Sequence, residues 1–257
     1  MRAASVAWLP FLQVPRPFLL ATLAGWVLMI GSSAIPTLPD LCVSGSMAQA
    51  VLAKTSAAFA SGDLVAAIFS WSAMMLAMMA PLVAAPWLHV WRQSLRHYRW
   101  HAGSLFLLVY VLIWMALGVL LVPIAVIIRA SFADSDVVPA ALGLGVAVVW
   151  QMTPAKQAFL NACHRRPALS AFGSEAVSDI VGFGLSQARS CVGTCWAFML
   201  CSLLVSGPAH WAVMAAVLLF SMFERSRAPR RPQWLAAPGF VAFHIFRLAP
   251  FPGRGSQ

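Results

Sequence analysis

From Gly103 to Ile128 the chain reads GSLFLLVYVLIWMALGVLLVPIAVII, without one charged side chain. A helix of about 20 apolar residues is long enough to cross the hydrocarbon core of a bilayer. No water reaches the backbone there, so the run must satisfy its own N–H and C=O groups as a helix. Weaker versions of this run recur along the chain, and the pattern predicts six spans: residues 18–35, 64–90, 103–128, 138–152, 181–205 and 208–223. Composition agrees, with 61% hydrophobic and 9% charged residues, against about 25% charged in soluble domains. The expected fold class is all-α, a polytopic transmembrane helical bundle.

Charge then sets the expected orientation. With six spans and both termini cytoplasmic, 14 of the 17 basic residues fall on the inner side. Asp40, Asp63, Asp134 and Asp136 fall outside. This is the asymmetry of the positive-inside rule. It accounts for the +10 net charge as a basic surface facing anionic lipid, with no nucleic acid partner. Gly31-Ser32-Ser33-Ala34 resembles a signal-peptidase site with Arg2 and Arg16 as its basic flank. The basic segment is long for that role, so an uncleaved anchor is expected. The tail from Gln233 to Pro250 mixes aromatic and basic residues around Pro238-Gly239, and it reads as an interfacial segment.

Sulfur carries the chemistry. Three of the five cysteines lie in SCVGTCWAFMLC, from Ser190 to Cys201. Cys191 and Cys195 share one helix face, with Cβ atoms about 5–6 Å apart. That is too far for an unstrained disulfide, which wants about 3.5–4.5 Å. Two sulfurs with arms of about 2.3 Å to a metal can span it. Cysteine also packs as a small hydrophobe, and on spacing alone that reading stays open. In the second span, WSAMMLAMMAPL places Met74 with Met78 and Met75 with Met79 on adjacent faces. Methionine is an ordinary filler of cores, yet two thioether stripes suit a soft monovalent metal, Cu(I) before zinc. The methionines and Cys195 are expected at one depth.

Between the fourth and fifth spans, WQMTPAKQAFLNACHRRP offers Gln151, Met152, Lys156, Cys163 and His164 at the inner mouth. The same stretch reads equally as a solvated loop in which Thr153-Pro154 starts a short helix. Arg189 stands close to the cysteines, free to favour a thiolate, to pair with Glu175 or Asp179, or to reach the headgroups. No pair of histidines suits a haem. A Walker loop, a dinucleotide glycine motif and a Ser-His-Asp signature are absent.

Three blocks together, WSAMMLAMMAPL, WQMTPAKQAFLNACHRRP and GLSQARSCVGTCWAFM, resemble a bacterial family of predicted metal-binding integral membrane proteins. Glu224 closes the last span as in that family. The resemblance runs from about Leu64 to Arg225. It points to Met74, Met75, Met78 and Met79, to Gln151, Thr153, Lys156 and Cys163, and to Cys191, Cys195 and Trp196. The chain departs from the pattern twice. Gln187-Ala188 stands where His-Gly is usual, and Thr194-Cys195-Trp196 stands where Cys-Cys-Trp is usual. The resemblance implies metal handling in the bacterial inner membrane, with copper delivery to an oxidase.

The expected organisation is an N-terminal anchor and external loop over residues 1–63, a metal-binding membrane domain over 64–225, and a basic tail over 226–257. The expected function is Cu(I) binding in metal trafficking or cuproenzyme maturation, without catalysis. Cys191 and Cys195 are the expected primary ligands. Met74, Met75, Met78 or Met79 completes the shell, and Cys163 is a transfer point. The bilayer is the medium, and a cuproenzyme or metallochaperone the partner. Rival readings are a transporter or channel for a metal or small solute, a membrane thiol oxidoreductase, and a structural subunit of a membrane complex.

Overall fold

The computed structural model describes residues 14–33, 63–132 and 134–234. Most of the expected external loop, Cys42, Ala34 and the tail beyond Trp234 lie outside the described residues. Within them the chain forms seven helices and no strand: α1 (Arg16–Ser33), α2 (Asp63–Gln93), α3 (Arg99–Ser131), α4 (Val137–Met152), α5 (Pro154–Ala162), α6 (Gly173–Leu204) and α7 (Pro208–Arg225).

The longest helix contacts are made through small residues and aromatic wedges. α1 lies along α2, where a Cβ added at Gly25 would come within 2.5 Å of the Ala77 backbone nitrogen. Ala73 and Ala77, four apart, form the shallow groove that admits Gly25. α3 meets α2 where the Trp71 ring fills the space beside Gly118. Trp71 Nε1 donates to the Trp114 carbonyl at 3.1 Å, which gives a buried indole its partner. α6 is the central helix and packs on α3, α4, α5 and α7.

Two helices, α2 over Ile68–Gln93 and α3 over Arg99–Ser131, are long and apolar enough to cross a membrane. α4 and α5 count as a third if the pair, bent by 71°, is one broken span. The structure thus supports two or three spans by length and composition where the sequence pattern predicts six. α6 shows why. It is 32 residues long, but Gln187, Ser190, Thr194 and Ser202 make it polar. All four are buried within the protein, and with the exposed Arg189 between them in sequence they lower the hydropathy of the helix. α1 offers only a short apolar stretch, Arg16–Gly31.

The outward faces are apolar. Leu108, Leu112, Val119, Leu120 and Ile124 on α3, with Val137, Leu144 and Val149 on α4, are exposed. An apolar surface of this extent is what lipid solvates and water does not. At the junction of α2 and α3, Trp87 stacks on Trp91 at 4.8 Å and Trp91 meets Trp100 edge-on at 4.8 Å. Arg92, Arg96 and Arg99 stand beside them. Tryptophan among basic residues at a helix end is the signature of a membrane–water interface.

Candidate metal site

α6 brings Cys191 and Cys195 to one face, one turn apart, both buried. From α2, Met79 reaches across so that its Sδ lies 3.7 Å from Cys191 Sγ. Two metal–sulfur arms of about 2.3 Å span that 3.7 Å gap at an angle of about 107°, close to tetrahedral. Two donors converge on the same sulfur. Tyr110 of α3 donates its hydroxyl at 2.9 Å, and Arg225, the last residue of α7, donates Nη2 at 2.7 Å.

The position of Arg225 follows from a proline. Pro86 has no N–H, so within α2 the carbonyl four residues back, on Leu82, loses its helical partner. Arg225 Nη1 takes that carbonyl at 3.3 Å. The guanidinium is thus fixed at one end by a backbone vacancy and presents its other nitrogen to Cys191.

Cys163, at the C-terminal cap of α5, is buried beside this cluster. It lies within electrostatic reach of Arg225, Cys195 and Arg166. Burial pushes the Cys163 thiol up from its ordinary value, against the opposing guanidinium of Arg225. Thr194 Oγ1 sits 3.4 Å from Cys195 Sγ. Among the described residues no three or more His, Cys, Asp or Glu side chains form one metal-holding group. The sulfurs gather around Cys191 instead: Met79 lies against it, Cys195 stands one turn away on the same helix, and Cys163 is within electrostatic reach.

α5 is held in place by its own cap and by α7. Thr153 accepts the Lys156 amide N–H at 3.2 Å, and Pro154 occupies the first helical position, as the sequence predicts. Gly193 on α6 leaves the space that the Phe159 ring fills, and Trp150 Nε1 donates to the Gly193 carbonyl at 2.8 Å. The buried Lys156 ammonium pairs with Glu224 on α7. His164 contacts the Arg225 carbonyl at 3.0 Å, and Asn161 accepts the Arg230 amide at 3.1 Å. The next loop is pinned to α6 by Gln187 Nε2, which donates to the Arg165 carbonyl at 3.3 Å, and by the Ser170 amide, which donates to Asp179 at 2.9 Å.

Of the sulfurs singled out from sequence, the fold joins Cys191 to Met79 and brings Cys163 within electrostatic reach of Cys195. Met74, Met75 and Met78 are buried in the same core cluster as Met79, Cys191 and Cys195. Cys201 packs with Ala147 and Ala197, away from the pair. Arg189 is exposed, so the cation beside the thiols is Arg225 instead. Gln187, where the resembling family has histidine, spends its amide on the Arg165 carbonyl. Gln151 is buried, and neither atom of its amide has a partner. The antiparallel contacts of Gly143 with Cys201 and of Trp150 with Gly193 put it level with Thr194.

Sequence reasoning missed Tyr110 and Arg225. Tyr110 had a signal: it is one of two tyrosines in the chain, a lone hydroxyl in an apolar run that must find a partner. Arg225 had none, because it reads as one more basic residue after a span.

A cavity of about 1020 Å³ opens beside the site and reaches Cys163 and Arg225. The donor set, thiols with a thioether, is soft and suits Cu(I) above harder cations. No curated protein and no solved structure matches the chain. The PpoB2 family, described as a copper chaperone, matches over residues 68–248, a stretch that contains every group of the site. The chain belongs to the PpoB2 family of copper chaperones.

Proposed function

We propose that this chain is a multi-pass protein of the bacterial inner membrane that carries Cu(I) and hands it to a maturing cuproenzyme, without catalysing a reaction itself. The 3.7 Å approach of Cys191 to Met79, with Arg225 and Tyr110 donating to the same sulfur, supports this reading best. Two thiolates and one Cu(I) carry a net charge of −1, and Arg225 offsets it in a site closed to water. Cys191 and Cys195 hold the cargo, Met79 completes the shell, and Cys163 passes metal between the cavity and Cys195. The thioether favours Cu(I) over zinc. In this reading α1, α6 and α7 also cross the bilayer, shielded by partners that cover their polar residues, and both termini are cytoplasmic.

Metal analysis of the purified protein with Cu(I) competition tests the reading. Stoichiometric copper in the wild type, lost in a Cys191→Ser/Cys195→Ser variant, supports it. Absence of copper at competing ligand strengths typical of a cell overturns it.

A transporter is the second reading, and the 71° break between α4 and α5 favours it. Discontinuous helices line the substrate sites of many transporters. Uptake of labelled copper into sealed proteoliposomes, driven by a gradient and dependent on Cys191, would favour transport over a carrier role.

A further inference from the structure

The cavity of about 1020 Å³ is lined by Arg92, Arg166 and Arg225, with His89 and His164, around Cys163. Among the described residues no acidic side chain lines it. Arg166 and Arg225 are close enough to repel one another. Glu224, the nearest carboxylate in sequence, is held by Lys156 on the other side. Arg166 spends Nη1 on the carbonyls of Cys163 and Arg165, at 2.7 and 2.9 Å. Arg92 is exposed at the mouth. Positive charge gathered in a concave space without a counter-charge focuses a field that draws anions and repels cations.

This arrangement conflicts with the cargo unless the cargo is dressed. A bare Cu(I) ion would enter the repelling field of three guanidiniums in the cavity that holds Cys163. A Cu(I) ion bound by two thiolates is an anion, and carboxylates on the thiol would add to its charge. The cavity has the size of small-molecule sites, about 300–1,000 Å³. It holds a peptide-sized thiol and is too small for a folded donor domain. Guanidinium forks match carboxylates in bidentate geometry.

We propose that copper enters as an anionic complex with a small, carboxylate-bearing thiol, and that Arg92 and Arg166 bind the carrier's carboxylates while Cys163 takes the metal. This rests on the copper reading above and names its donor. The step is a ligand exchange with no change of oxidation state. Cys163 Sγ forms a bond to copper and releases its proton. One carrier thiolate leaves the metal and takes that proton, so a neutral thiol departs and the charge of −1 stays on the copper complex. A second exchange with Cys195 releases the other carrier thiol.

The test uses the full chain in nanodiscs of phosphatidylcholine. Uptake rates are compared for Cu(I) supplied as its glutathione complex and as its complex with cysteamine, a thiol that carries an amine. Binding of metal-free S-methylglutathione is measured separately. We expect uptake at least tenfold faster from glutathione, and the advantage should shrink as salt rises. An Arg92→Gln/Arg166→Gln variant should lose both the advantage and S-methylglutathione binding while keeping its equilibrium Cu(I) affinity. Equal rates from both carriers, or an advantage that survives in the variant, overturn the proposal. So does a cavity that binds an anionic lipid headgroup in phosphatidylglycerol nanodiscs and ignores the thiol peptide. S-methylglutathione binding by a wild type that takes up no copper from either carrier would sink the copper reading while leaving an anion site. Copper bound equally from both carriers would do the reverse.

Discussion

At the scale of single residues, the site depends on what is done to one sulfur. Cys191 accepts from a phenol and a guanidinium, and a hydrogen bond to a charged group contributes about 1.5–3 kcal/mol. Arg225→Gln is therefore expected to weaken Cu(I) binding by about 10- to 100-fold, and Tyr110→Phe by less, as read by competition with a chromophoric Cu(I) ligand. Thr194 predicts a gain. Its oxygen is 3.4 Å from Cys195 Sγ. Thr194→Cys should place a third thiol beside Cys195 and tighten Cu(I) binding in the same assay. The sequence showed the sulfur chemistry but not which methionine matters, because Met74, Met75, Met78 and Met79 differ only in azimuth around α2. Helix periodicity sorts them into stripes and cannot say which stripe faces α6. Arg225 was illegible because its partners are a thiol 34 residues earlier and a carbonyl on Leu82, 143 residues away.

At the scale of elements, α5 decides whether there is a site. Its start was legible from Thr153-Pro154, and α2 and α3 were close to their expected bounds. Its return into the bundle was not, because it depends on the fit of Phe159 at Gly193 and on the Lys156–Glu224 pair. Breaking a buried pair from one side leaves an uncompensated charge, a loss of about 3–5 kcal/mol. Glu224→Gln should therefore lower the thermal midpoint in detergent and expose Cys163. A Lys156→Met/Glu224→Leu variant, which removes both charges, should recover most of the midpoint. If the single variant melts like the wild type, the pair does not hold α5. α6 contributes to the difference between the span count read from sequence and the count supported by length and apolarity, because buried Gln187, Ser190 and Thr194 and exposed Arg189 all lower its hydropathy.

For the whole molecule, the apolar exterior, the tryptophan–arginine border and the basic cavity give the protein one chemically distinct end. Cys163 is the cysteine that lines the cavity, whereas Cys191 and Cys195 sit behind it. Among the described cysteines, a soluble thiol label is expected to modify Cys163 first. Because burial raises that thiol above its ordinary value, it is protonated at neutral pH, and labelling should speed up as pH rises toward and beyond 9. Copper uptake through Cys163 should rise in the same direction, since a metal binds the deprotonated sulfur and displaces the proton. A labelling rate flat between pH 6 and 9 would contradict both statements.

The place of Arg225 in the chain bears on how the protein is made. Synthesis runs from Met79 through Tyr110, Cys163, Cys191 and Cys195 before it reaches Arg225, and domains form in that order as the chain emerges. Until α7 is inserted, the thiols lack both the guanidinium and the anchor that steers it to the Leu82 carbonyl. A nascent chain therefore has its sulfurs but not the counter-charge that lets them hold an anionic copper complex away from water. In the copper reading, loading waits for α7, so a chain stalled before α7 is a poor trap for a toxic metal.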